Sequence, residues 1–255
     1  MIANYHTHTP RCGHAVGTEE EYVQAAIQRG IKILGFADHS PQCYPDGYSS
    51  SLRMKPEQAE EYVSTILRLQ ERYQNSIELH AGVEMEYYPA YFADTLSLLR
   101  DSRVEYLILG QHYIGNEIGE KHNNQRTESE AKLKQYCRQV SDAVNTGLFT
   151  YVAHPDVLHF VGDPKIYQKY SRILCREANV CGIPLEFNLL GLNANLHYPN
   201  PQFWQIAAEE GCRVILGCDA HKPEALLDTA TEQRALAYIK QLGLDVLDRV
   251  ELRKI

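Results

Sequence analysis

The sequence predicts a seven-stranded (β/α) barrel. Two observations carry this: seven short β-prone apolar runs alternate with helical patterns, and metal-ligating residue types recur where those runs end. The runs fall at 2–5, 31–37, 77–83, 104–109, 149–153, 183–187 and 214–217. Short apolar strands suit a doubly wound sheet as well as a closed barrel, and periodicity alone does not separate the two. The polar residues do. His6/His8, His39, Glu84, His112, His154 and Asp219/His221 each follow or end a different run. In a barrel, all the carboxyl ends converge on one face, where catalytic groups sit.

The helices between the runs have readable ends. Thr18-x-x-Glu21 offers a capping box before Tyr22-Val23-x-x-Ala26-Ile27, and Gly30 supplies a stop. Pro56 suits the first turn of a helix running toward Tyr73. Thr127-x-x-Glu130 begins another that Gly147 closes, and further helical stretches are expected near 89–101, 165–180, 201–210 and 223–242. Nothing reads as a linker, so the 255 residues are expected to form one domain, 1–255.

Composition narrows the function. Hydrophobic residues make up 44% and charged residues 23%, ordinary for a globular protein that can bury a sizeable core. No apolar run approaches the roughly 18 residues of a membrane span. No leader pattern precedes Tyr5-His6-Thr7-His8, and a cytoplasmic protein without membrane contact is expected. Seven cysteines at 12, 43, 137, 175, 181, 212 and 218 include no C-x-x-C pair and are read as reduced thiols. Cys12 and Cys218 lie beside proposed ligands and receive no role. The net charge of -8, without a Lys/Arg cluster, argues against long DNA or RNA as substrate. Oligomeric state leaves no mark on the sequence.

The chemistry lies in the spacing. His6-x-His8 places two imidazoles on one side of an extended segment, because side-chain direction repeats every second residue. Asp219-x-His221 repeats the device with a carboxylate, and His14 extends the first group through a short loop. One isolated histidine is ordinarily a hydrogen-bonded or surface residue. Nine such groups together suit divalent transition metals, and burying them unpaired would be costly. His80, His122, His159 and His197 have no comparable arrangement and stay outside the ligand set. Asp38, beside His39 on an extended segment, faces the other way and is read as structural or supporting.

With Tyr5-His6-Thr7-His8-Thr9-Pro10-x-Cys12-x-His14, Ala37-Asp38-His39-Ser40-Pro41, Gly82-Val83-Glu84-Met85-Glu86-Tyr87 and Asp219-Ala220-His221, the chain resembles the polymerase and histidinol phosphatase (PHP) superfamily of metallophosphoesterases. Almost the whole chain shares the resemblance, which is strongest to the stand-alone histidinol-phosphate phosphatase branch. It implies a distorted (β/α)7 barrel and three divalent ions, and His-rich ligation with two carboxylates suits zinc, manganese or iron. His6, His8, Glu84 and Asp219 would hold one ion, Glu84, His112 and His154 a second, and His14, His39 and His221 the third. Glu84 would bridge two ions, with a water between metals as nucleophile and the cations offsetting charge on the phosphate. Glu84, Asp219 and His221 are the candidate catalytic groups. The general acid stays open between water, His221 and another site histidine.

The implied reaction is hydrolysis of a small phosphate monoester, with L-histidinol phosphate as the specific expectation. Substrate contacts are less constrained. Tyr44, Tyr48 and Arg53 lie in a 41–55 segment suited to a loop over the mouth, Lys222 follows a ligand, and Arg11 is a weaker candidate. Relatives of this branch often carry cations where this chain has His159 and Asn193, which suggests weaker or altered phosphate recognition. Other readings remain open: a phosphatase or exonuclease for another sugar phosphate, nucleotide or short oligonucleotide, an amidohydrolase, which also begins H-x-H, or a metal-binding regulatory protein without turnover.

Overall fold

Strands β1 (Ala3–Asn4), β2 (Ile33–His39), β3 (Glu78–Met85), β4 (Tyr106–Leu109), β5 (Phe149–Val152), β6 (Leu185–Asn188), β7 (Val214–Gly217) and β8 (Val246–Leu247) lie side by side in chain order, all parallel. The computed structural model describes residues 1–255, the side chain of Asp46 excepted. Seven strands fall on the expected runs. The eighth escapes sequence reading because it is two half-buried residues in a polar tail, paired only with the amino end of β7. At the carboxyl end, β7 meets the extension of β1 instead. The His8 N–H donates to Ala220 O at 2.9 Å and the Ala220 N–H to His6 O at 3.2 Å, around a parallel Thr7–Ala220 bridge. The sheet thus curls into a distorted barrel closed at its carboxyl end.

Helices α1 (Glu19–Arg29), α2 (Ala59–Tyr73), α3 (Phe92–Asp101), α4 (Glu130–Val144), α5 (Pro164–Val180), α6 (Leu189–Asn193), α7 (Pro201–Glu209) and α8 (Thr229–Gln241) connect the strands. Thr18 and Glu21 close the expected capping box, and Gly30 ends α1 at a φ of 84° that suits glycine. Pro56 opens a 3-10 turn, Pro56–Gln58, that leads into α2. One start differs from expectation: Ser129, not Thr127, caps α4 by accepting the Lys132 N–H, because Thr127 is drawn into a bridge with Phe160. The helix ends at Val144, with Asn145 as its cap, before Gly147. The five-residue α6 was not expected; Asn188 caps it by accepting the Gly191 N–H. Among the described residues, no helix is long and apolar enough to cross a membrane.

Strand alternation sorts the core in two. Leu34, Phe36, Val83, Leu107 and Leu216 face the helices, in the layer that also buries Tyr22, Tyr62 and Trp204. Ala37, Tyr106, Ile108, Tyr151 and Ile215 fill the barrel. Tyr106 is the plug: its hydroxyl donates to Tyr5 O at 2.8 Å, and Gly35 and Gly82 leave room for its ring. A Cβ at either glycine would come within 2.1 or 2.3 Å of that side chain. This apolar plug closes the barrel beneath the polar residues at the carboxyl end.

Candidate metal centre

All nine proposed ligands gather at that end. Glu84 stands at the centre, second from the carboxyl end of β3, with each carboxylate oxygen turned to a different group of imidazoles. Its Oε1 lies 2.7 Å from His154 Nε2 and 3.4 Å from His112 Nε2. Its Oε2 lies 3.0 Å from His39 Nδ1, 3.5 Å from His6 Nε2 and 3.6 Å from His8 Nε2. Asp219 Oδ1 closes the ring at 3.1 Å from His8 Nε2 and 3.5 Å from His6 Nε2. Gly110 makes this placement possible, since a Cβ there would fall 1.9 Å from Glu84 Oε1. His154 and Asp219 leave their strands with φ of 28° and 48°, a conformation unfavourable for residues with a side chain and typical of functional sites.

Hydrogen bonds fix how the rings are presented. His14 Nδ1 lies 2.9 Å from Cys12 O, and His221 Nδ1 lies 3.0 Å from Asp219 O. A carbonyl only accepts, so both Nδ1 atoms carry the proton and both Nε2 atoms are lone pairs. Yet the two Nε2 atoms face each other at 3.2 Å. Two facing lone pairs repel unless a proton or a metal ion lies between them. At His6, Nδ1 meets Glu186 Oε1 at 2.7 Å while Nε2 faces two carboxylates, so Nε2 is placed to hold either a proton or a metal ion. His6 Nε2, His8 Nε2 and Glu84 Oε2 are also buried without a hydrogen-bond partner. Subsets such as His14/His39/His221, His6/His8/Asp219 and His6/Glu84/His154 bring one donor atom each within 4.8 Å of one another. The donor set therefore fits divalent metals.

Electrostatics agree. At Glu84 burial favours the neutral acid, but His112, His6, His39 and His154 outweigh it and hold the carboxyl well below its usual range. Burial likewise opposes the charged form of His6, and Glu186, Asp219 and Glu84 overcome it, raising its pKa well above the ordinary value. Burial, reinforced by His8, pushes His39 down to about 3.

Of the three carboxylates that orient these rings, sequence reasoning missed Glu186 and Glu86 and read Asp38 as structural or supporting. Glu186 holds His6 and accepts the His154 N–H at 3.0 Å, while Gly217 gives it room: a Cβ there would fall 1.6 Å from its Oε1. Glu86 meets His112 Nδ1 at 3.0 Å, and Asp38, which also accepts from Thr9, meets His8 Nδ1 at 3.4 Å. Such partners set the tautomer and sharpen ligand basicity. Two signals were available: Glu86 repeats Glu84 at the strand period, and Glu186 is a lone charge in an apolar run.

The centre opens into a cleft of about 550 Å³, walled by Tyr113, His122, Val157, Leu190, Leu196 and Tyr198. The candidate substrate contacts fare differently there. Arg53 reaches the wall but is buried, pairing with Glu86 at 2.7 Å and Glu117 at 2.6 Å. Tyr44 and Tyr48 turn to the same Glu117. Lys222 and Asn193 are exposed and lie outside the cleft lining; Asn193 accepts from Thr231. His159 stacks on His197 with centroids 4.1 Å apart, also outside the lining, and Arg11 pairs with Glu19 and Glu61. A larger cavity, about 900 Å³, opens at the opposite end of the barrel beside His80, Arg103 and Val250 and holds none of the nine ligands.

Fold and site together define a class: a parallel β/α barrel that gathers imidazoles and carboxylates around cations at the carboxyl ends of its strands. Residues 4–188 match the PHP domain, and the chain belongs to that family. It is 32% identical over 232 residues to a probable histidinol-phosphatase of Deinococcus radiodurans, covering 87% of each chain. A probable histidinol-phosphatase of Schizosaccharomyces pombe is 22% identical over 278 residues, covering 98% of this chain and 90% of the relative. The fold superposes on histidinol phosphate phosphatase of Lactococcus lactis, solved with zinc, L-histidinol and phosphate. The TM-score is 0.74 at 20% identity, over 98% of each chain.

Proposed function

We propose that the whole chain, 1–255, acts as one metal-dependent phosphomonoesterase that hydrolyses L-histidinol phosphate to L-histidinol and inorganic phosphate. The observation that carries this is the two-sided Glu84 carboxylate among imidazole nitrogens placed to hold a proton or a metal ion. Three divalent ions fit the donors, with Glu84 shared. His6, His8 and Asp219 would complete one set, His112 and His154 a second, and His14, His39 and His221 the third. Zinc, manganese and iron all suit such ligands. When bound, the ions would activate water and offset charge on the phosphate.

The chain's own residues do the rest. Glu186, Glu86 and Asp38 hold their imidazoles in one tautomer. Arg53 lies between Glu86 and Glu117, and beside it Glu86 stays ionised against burial. Tyr113, Val157, Leu190, Leu196 and Tyr198 offer apolar and aromatic surface to the alcohol portion, a size of cleft that admits a small metabolite and not a duplex. The seven cysteines are free thiols, which supports the cytoplasm as the working compartment.

One observation favours a second reading, preference for another small phosphate ester. Arg53 is the lone Lys or Arg among the cleft's lining residues and is committed to two carboxylates. Phosphate release from metal-loaded protein, measured across histidinol phosphate, sugar phosphates, nucleotides and p-nitrophenyl phosphate, decides between them. Histidinol phosphate is expected to have the highest kcat/KM. A tenfold or greater advantage for a different ester would overturn the substrate assignment, and no release from any would overturn the reaction.

A further inference from the structure

A phosphate in this cleft meets no free guanidinium or ammonium, since Arg53 is the lone candidate on the lining and its nitrogens are taken by Glu86, Glu117 and Ser40 O. A phosphoryl group has three peripheral oxygens, and any that do not meet metal need hydrogen-bond donors. The loop after β4 supplies one. The His122 ring lies on the cleft wall, 5.3 Å centroid to centroid from the ligand His112. Its Nδ1 accepts the backbone N–H of Asn124 at 3.0 Å. An imidazole nitrogen that accepts a hydrogen bond carries no proton, so the ring is neutral with its hydrogen on Nε2. Among the described residues, no protein acceptor takes that hydrogen.

The loop around it is pinned. The buried Asn123 donates from its side chain to Gln111 O at 2.8 Å and from its backbone to His112 O at 2.7 Å. The His159 N–H in turn donates to Asn123 O at 2.8 Å. His122 therefore directly precedes a fixed residue, Asn123, whose backbone is tied to that of the proposed ligand His112. The neighbouring wall histidine is used differently: His197 Nε2 donates to Val157 O at 2.7 Å, so its donor is already spent.

We propose that His122 is a substrate-binding residue that donates a hydrogen bond from Nε2 to a peripheral phosphoryl oxygen, in place of a cationic phosphate contact. The proposal rests on the phosphatase reading. A neutral donor of fixed tautomer holds phosphate without pairing so tightly that inorganic phosphate, the product, is retained.

Two variants test it on metal-loaded protein with metal content verified by elemental analysis. His122→Phe keeps the ring and removes the donor, while His122→Gln returns an N–H close to the Nε2 position. The primary readout is the dissociation constant of inorganic phosphate by calorimetry, which needs no turnover. Loss of a hydrogen bond to a charged group predicts weakening by about tenfold to a hundredfold in the Phe variant, with partial recovery in Gln. Values of kcat/KM for histidinol phosphate and p-nitrophenyl phosphate should fall by the same factor, because the shared phosphoryl group is the one contacted. Phosphate binding within twofold of wild type in the Phe variant overturns the proposal. So does a fall confined to histidinol phosphate, which would place His122 against the alcohol, or loss of an ion, which would make it a ligand. Wild-type protein that binds phosphate but hydrolyses no ester would instead remove the phosphatase reading and leave the His122 contact standing.

Discussion

Glu84 serves two groups of imidazoles at once, and that division is what a shared metal ligand needs. Its Oε1 faces His154 and His112, and its Oε2 faces His39, His6 and His8. Replacing one oxygen by an amide keeps the shape but removes the anion and sets N–H groups against one side. Glu84→Gln is expected to lower kcat by more than about a hundredfold, beyond the range for residues that only support a ligand. His80 lies on the same strand, four residues earlier, and is held by Glu105 and Glu78 at the opposite end of the barrel. His80→Gln is expected to leave kcat within a few-fold. Equal activity in two variants of comparable folded stability would count against the assignment of Glu84 as the shared ligand.

At the scale of the elements, the barrel owes its shape to small residues facing one large one. Tyr106 occupies the space left by Gly35 and Gly82, and its hydroxyl bonds the carbonyls of Tyr5 and Phe36, tying β4 to the two strands that carry the first ligands. Tyr106→Phe leaves those buried carbonyls without this donor and is expected to destabilise the protein by about 1–3 kcal/mol. Urea unfolding of the metal-loaded protein measures it; a change under 0.3 kcal/mol would show that the hydroxyl does not bind the strands together. The strands themselves were legible because parallel strands buried on both faces read as uninterrupted apolar runs, and His39, Glu84 and Asp219 stood out at their ends. β8 and α6 were not, being too short for any periodicity to register. Nor was the fate of Arg53 readable, because the carboxylate that engages it, Glu117, lies 64 residues away and no local pattern links them.

Across the whole molecule, the cluster concentrates negative charge that protons occupy when metals do not. Burial opposes charge on His6 and His8, yet Glu186 and Asp219 at the first, and Asp219 and Asp38 at the second, raise both pKa values well above the usual 6.5. The shift favours proton uptake by these rings in metal-free protein, and any protons they hold must leave as cations enter. Metal affinity is thus expected to fall as pH drops. Calorimetric zinc titrations at pH 7 in two buffers of different ionisation enthalpy should give different heats, with the sign of net proton release. Identical heats would mean that the rings are already neutral.

The central claim is that the nine-residue cluster binds three ions and that this centre hydrolyses a phosphate monoester. Phosphate release from L-histidinol phosphate, followed as zinc is returned stepwise to fully stripped protein, tests it most directly. Turnover should be absent at the start, rise with added metal and reach its plateau near three bound equivalents per chain. Turnover that survives stripping, or that is complete at one bound equivalent, would contradict the account.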